Sequence, residues 1–213
     1  MSTLLAIGAK AIVPPPFLTI VMSRELSKEI LSMYFTGLQD YSVDHRGDIG
    51  SWIREASMQG LEVMIPLVAR LDYEALKAGQ QQYERYLSEQ EHAQVLSELL
   101  QQSVEKIDRI RACAAAVMVT ILYARADPTV KVEEDKTPEY VLNPPNVNLV
   151  RKVIPQSDEM NWLQASEVYP RLVELLHLPE YRTDLILGFI VSAGGLTETL
   201  VSLVDVVYTS AHE

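Results

Sequence analysis

The sequence predicts an all-α protein, a HEAT/armadillo-like α-solenoid of stacked antiparallel helical hairpins. Three observations lead there. Apolar residues recur at helical spacing along most of the chain, and windows of alternating β-branched residues are missing. The stretch from Tyr73 to Tyr123 holds one glycine, Gly79, and no proline, so it reads as helix. A weak internal repeat places Asp48, Ile53, Arg54 and Ala56 in the same relative positions as Glu105, Ile110, Arg111 and Cys113. The two arginines are further apart than the roughly 40–47 residues of a HEAT-like helical pair, an excess that an insertion in a connecting loop explains.

Residues 1–21 read as irregular, with Pro14-Pro15-Pro16 favouring an extended chain. Lys10 and these prolines interrupt the apolar N-terminal stretch and no basic region precedes it, which poorly fits a signal peptide. Residues 22–124 are expected to form helical repeats. Ser23 caps a first helix whose face is Leu26, Ile30, Met33, Tyr34 and Leu38. The stretch Tyr41 to Ala56 is the entrance to the second helix, with Gly47 in the turn and the Asp48 carboxylate taking first-turn N–H groups. That helix is expected to run from Asp48 to about Ala69, kinked or ended by Pro66, with Ile49, Trp52, Ile53, Ala56, Val63, Met64 and Leu67 as its apolar stripe. A break is expected near Gln101–Ser103, with Ser103 capping the next helix. Residues 125–161 change character: Pro128, Pro138, Pro144, Pro145 and Pro155 and the run Glu133-Glu134-Asp135 predict a long loop. Residues 162–213 return to helical hairpins, with Tyr169 to Leu176 stopped by Pro179, Thr183 to Ala193, a Gly194-Gly195 turn, and Leu196 to Ser210.

Composition excludes several classes of function. A formal net charge of -11 argues against a phosphate-binding surface, and therefore against nucleic acid as a partner. The single cysteine, Cys113, gives neither a disulfide framework nor a zinc cluster, and fits a reducing compartment. The most apolar internal segment, Leu185 to Leu196, is too short to span a bilayer. The local signatures of nucleotide, zinc and acyl chemistry are missing, so no catalytic residue, cofactor or metal site is expected. Asp44, His45 and Asp48 read as a solvated turn with a cap rather than a metal site. Arg46-Gly47-Asp48 spells an adhesion tripeptide, but Asp48 has the better role as a cap. Cys113, among alanines, reads as a small core residue rather than a nucleophile.

Six residues stand out as repeat-stacking or partner-binding candidates: Asp48, Trp52, Arg54, Lys106, Arg109 and Arg111. An arginine one turn inside the second helix of a hairpin can bridge to the acidic cap of the neighbouring repeat, so Arg54 and Arg111 are candidates for a charged ladder along the solenoid. Trp52 falls on the apolar stripe and reads as core, with partner anchoring as the alternative. Lys106, Arg109 and Arg111 form a cationic cluster on an acidic chain, either a solvated helix face or a surface for an acidic partner.

Four collinear stretches resemble the carboxy-terminal region of the tubulin-specific chaperone D family, also called tubulin-folding cofactor D. They are Asp40-Tyr41 through Arg46-Gly47-Asp48-Ile49-Gly50-Ser51-Trp52-Ile53-Arg54-Glu55-Ala56-Ser57-Met58; Ser103 to Ala112; Pro155-Gln156-Ser157-Asp158 with Asn161-Trp162; and Leu178-Pro179-Glu180-Tyr181-Arg182 with Leu187-Gly188 and Ser192 to Glu198. The resemblance covers about residues 40–205. It implies a non-catalytic solenoid that binds β-tubulin and works with cofactors E and C and a small Arf-like GTPase on the α/β-tubulin heterodimer. It also implies a part in stimulating GTP hydrolysis by tubulin, and a cytoplasmic, microtubule-associated location. Family members are much longer, so a fragment or shortened product is expected. The alternative is a non-catalytic helical scaffold for other assemblies.

Overall fold

The computed structural model describes residues 23–79, 83–126, 139–156 and 160–194. Within them the chain is helical apart from one tiny hairpin and an isolated antiparallel bridge between Arg125 and Tyr140. The expected irregular segment 1–21, most of the acidic loop, and the turn and helix expected after Gly194 lie outside the described residues.

Helix α1 spans Arg24–Leu38, and the Ser23 hydroxyl accepts the Leu26 N–H at 3.1 Å as its cap. Its inner face is Ser27, Leu31 and Leu38, with Ile30 and Tyr34 packed beside them, whereas Leu26 and Met33 of the predicted stripe are exposed. The two-residue strands β1, Val43–Asp44, and β2, Gly47–Asp48, pair antiparallel and lead into helix α2, Gly50–Lys77. A side chain at position 50 would collide with the Asp40 carbonyl, so glycine there lets the connecting turn lie on the helix end.

Helix α2 corrects two expectations. It continues through Pro66 for 28 residues, because packing on both neighbouring helices supports the turn that proline weakens. Its inward face is also rotated by one position: Arg54, Ser57, Met58, Leu61, Ile65 and Val68 are buried, while Trp52, Ile53 and Val63 are exposed. Met64 of the expected stripe is buried, but over the first turns the stripe fails because the inner face there is polar.

At about 1.5 Å per residue α2 outreaches the 15-residue α1 by almost 20 Å. The overhang is covered by the segment returning to the next helix, which Asp72 pins down. Its buried carboxylate accepts the Tyr86 and Leu87 N–H groups at 2.8 and 2.9 Å and the Tyr83 hydroxyl at 2.9 Å.

Helix α3, Glu89–Ser103, opens on a capping box between Ser88 and Glu91, and helix α4, Asp108–Leu122, follows after four residues. The break near Gln101–Ser103 therefore falls slightly later. Ser103 ends α3, donating its hydroxyl to the Leu100 carbonyl, rather than capping α4. Helices α1 and α2 pack together, α2 packs on α4, and α4 on α3. Leu99, Leu100, Ile110 and Met118 are fully buried in this layer, each worth roughly 1.5–3 kcal/mol of apolar transfer.

The loop expected over 125–161 is only partly a loop. It contains helix α5, Val147–Val153, begun at Asn146 in the left-handed region at φ 53°. Arg151 on α5 donates to the Leu122 and Leu142 carbonyls and stacks over Tyr140, so this strap closes the end of α4. Helix α6, Ala165–Leu172, contains Pro170 and runs into a 3-10 turn, Val173–His177. Pro179 does not merely stop that element: it is the first residue of helix α7, Pro179–Gly194, a position where its missing N–H costs nothing. Helix α7 lies against α3, and a side chain at Gly188 would run into the Gln101 carbonyl. One continuous core links Leu31 of α1 to Leu185 of α7.

Candidate functional site: buried arginines at the helix entrances

The up-and-down path brings three stretches to one edge of the array: residues 39–49, 104–107 and 160–164. Two arginines run along that edge. Arg54 is fully buried in the second turn of α2. Its guanidinium donates to the Asp40 carbonyl at 2.7 Å, to the Asp48 carboxylate at 2.9 Å, and to the Glu105 carboxylate at 3.3 Å. It thus ties its own entrance to the next. The ring of Tyr41 lies beneath it, 4.2 Å from the guanidinium carbon. Burial raises the pKa of that phenol.

Asp48 has two tasks. One carboxylate oxygen accepts the Ser51 N–H at 2.9 Å, in the manner of a cap, and the other holds Arg54. Glu105 is nearly as buried as its partner; its second oxygen accepts the Lys106 N–H at 2.8 Å. A charge pair this dry is costly to break, since the partner left behind stays desolvated.

Arg111 occupies the equivalent place on α4 and is also buried. It reaches back to the Glu105 carbonyl at 2.7 Å and forward to the Trp162 and Leu163 carbonyls at 2.7 and 2.5 Å. Its acceptors are backbone oxygens, not an acidic cap, which corrects the charged bridge expected of it. A second polar strand runs beside the rungs. Gln101 and Gln102 donate to the Tyr41 hydroxyl, Gln102 also to the Leu38 carbonyl at 3.0 Å, and the Tyr169 hydroxyl donates to the Glu105 carbonyl at 3.3 Å.

The other candidates are on the surface. Trp52 is 58% exposed, with the Arg46 guanidinium 5.8 Å from its ring, so it is not core. Arg46 itself is held by Asp44. Lys106 is exposed. Arg109 pairs with Glu55 across the α2–α4 seam, which leaves the expected cationic cluster divided between a buried Arg111 and two surface residues. Tyr41, Asp40, Gln101, Gln102 and Tyr169 were missed as stacking residues. The run Gln101-Gln102-Ser103 at the end of an apolar periodic helix was the available signal, since polar residues on a buried face need partners.

Chemically these groups hold structure together. Among the described residues no cluster of His, Cys, Asp or Glu could hold a metal ion, and no helix is long and apolar enough to cross a membrane. Cys113 is half-buried on α4, and burial pushes its thiol pKa up, away from nucleophilic use.

Helical hairpins stacked side by side, with the entrances of α2 and α4 each tied onward by a buried guanidinium, define a helical-repeat protein of the α-solenoid class. Residues 93–210 match the family described as Tubulin folding cofactor D C terminal, and the chain belongs to that family. It is also similar to Tubulin-specific chaperone D of Dictyostelium discoideum, 26% identical over 170 residues. That likeness takes in 76% of this chain and 11% of the relative, so the chain spans about a tenth of the length of that protein. No solved structure matches.

Proposed function

We propose that this chain is a binding module of a tubulin-folding cofactor. In this reading the stacked helices present a surface to β-tubulin, or to cofactors E and C and a small Arf-like GTPase, during assembly of the α/β-tubulin heterodimer, in the cytoplasm and on the microtubule cytoskeleton. It has no catalytic site of its own; any stimulation of GTP hydrolysis comes from the assembly it joins. Membership of the cofactor D family over residues 93–210 is the observation that carries this.

The six candidates divide by burial. Asp48, Arg54 and Arg111 stack the repeats, while Trp52, Lys106 and Arg109 contact a partner. Trp52 supports that division, since a largely exposed indole beside the Arg46 guanidinium has the amphipathic character of an interface anchor. A low-salt pull-down with the folded chain should retain tubulin, cofactor E or the Arf-like GTPase, and Trp52→Ala should weaken retention while the circular dichroism spectrum stays the same. Folded chain that retains none of the three would defeat the reading.

A further inference from the structure

Beside the first turn of α1 lies an open cleft of about 390 Å³. One wall is the end of α2, where Leu71, Ala75 and Ala78 recur at helical spacing. The other is Tyr83 and Tyr86, from the segment returning to α3, with the Arg24 guanidinium carbon 4.8 Å from both ring centroids. The polar groups of that aromatic wall are already engaged. Arg24 donates its Nε–H to the Glu84 carbonyl, and Tyr83 donates its hydroxyl to Asp72 at 2.9 Å. The cleft therefore offers mainly ring and aliphatic faces.

Faces of that kind suit proline. Its ring packs on an aromatic side chain, it brings no backbone N–H that needs an acceptor, and a run of prolines is extended before it binds, so little conformational freedom is lost. The sequence has one run of three, Pro14-Pro15-Pro16, followed by Phe17 and Leu18. Pro16 stands eight residues before Arg24, which itself lines the cleft. At no more than about 3.6 Å per residue that link reaches up to about 29 Å, enough to turn back into the cleft. Charge points the same way. Residues 1–22 carry one charged side chain, Lys10, and the exposed Glu74 completes the lining of the cleft.

We propose that this cleft is the docking site for the chain's own proline run, residues 14–16, which lays its rings against Tyr83 and Tyr86 and straps the N-terminal segment across the ends of α1 and α2. Asp72 fixes both tyrosines in advance, through the Tyr83 hydroxyl and the Tyr86 N–H, so the surface is set before the run arrives. The strap then holds the same overhang of α2 that Asp72 pins. An external proline-rich peptide binds there only by displacing the internal one.

NMR of isotope-labelled tyrosine rings tests this on the full chain. Pro14→Ser, Pro15→Ser and Pro16→Ser together should move the Tyr83 and Tyr86 ring resonances, although the changes are distant in sequence. Ala78→Trp fills the cleft from an exposed position and leaves the segment untouched. It should raise the rate of limited chymotrypsin cleavage after Phe17 about tenfold. A synthetic peptide of residues 11–20 should shift the rings of the triple serine variant and not those of the parent, whose cleft is filled. Unmoved rings in the serine variant, unchanged cleavage in Ala78→Trp, or equal peptide shifts in both chains would overturn the strap. So would parent ring resonances that move on dilution, since the occupant would then come from a second copy.

Discussion

The two rungs occupy the same place in successive hairpins and are built from different acceptors. Arg54 is neutralised by two carboxylates, one of them almost as dry as itself, while Arg111 is surrounded by carbonyls alone. The first is an ion pair that stakes stability on keeping both partners. The second spreads a single charge over backbone dipoles, which are fixed by the fold and cannot be lost by substitution. Equivalent positions in a repeat can thus be equally buried yet differ in what their removal exposes.

The largest effect that would sharpen this contrast is on Arg54. Arg54→Ala leaves Glu105 charged, buried and half-partnered, and should destabilise the fold by about 3–5 kcal/mol in chemical denaturation. An unchanged midpoint would show that Glu105 finds water or another cation. Arg111→Ala strands carbonyls, which tolerate incomplete hydrogen bonding better than a charge does, so about 2–3 kcal/mol is expected. If this variant proved the weaker of the two, the comparison would be inverted.

A double-mutant cycle probes the difference more finely. Glu105→Gln should couple to Arg54→Ala by about 1–2 kcal/mol, because the two side chains touch. Its coupling to Arg111→Ala should stay within about 0.5 kcal/mol, because Arg111 meets only the main chain of Glu105. Trp52→Ala, two residues from Arg54 but on the exposed side of α2, should change stability by no more than about 0.5 kcal/mol, measured by thermal melting.

Helix content and stacking were legible in the sequence because they rest on periodicity and on the repeated spacing of Asp48 and Arg54 with Glu105 and Arg111. The inner face of α2 was not. A helical stripe is read from apolar residues, and the buried turn containing Ser51, Arg54 and Ser57 is polar, so the apolar pattern points to the neighbouring positions Trp52 and Ile53 instead. Pro66 misled in a similar way, since a local weakness was outweighed by packing on both sides. The acceptors of Arg111 could not be read either: backbone carbonyls have no sequence signature, and only the path of the chain brings Trp162 and Leu163 to that guanidinium.

Placing every rung at one edge has a consequence for how such a chain can vary. The short turns at that edge set the alignment of successive hairpins, because each guanidinium must reach the next entrance. The described residues of the connections on the other side, 78–79, 83–88, 123–126 and 139–146, are not among the acceptors of Arg54 or Arg111. Residues added there lengthen a loop without shifting Arg54 or Arg111 against their acceptors. Insertion of a short flexible tag in those connections should leave the array in register, whereas the same tag between Ser103 and Asp108 should pull Glu105 away from Arg54 and unfasten the stack.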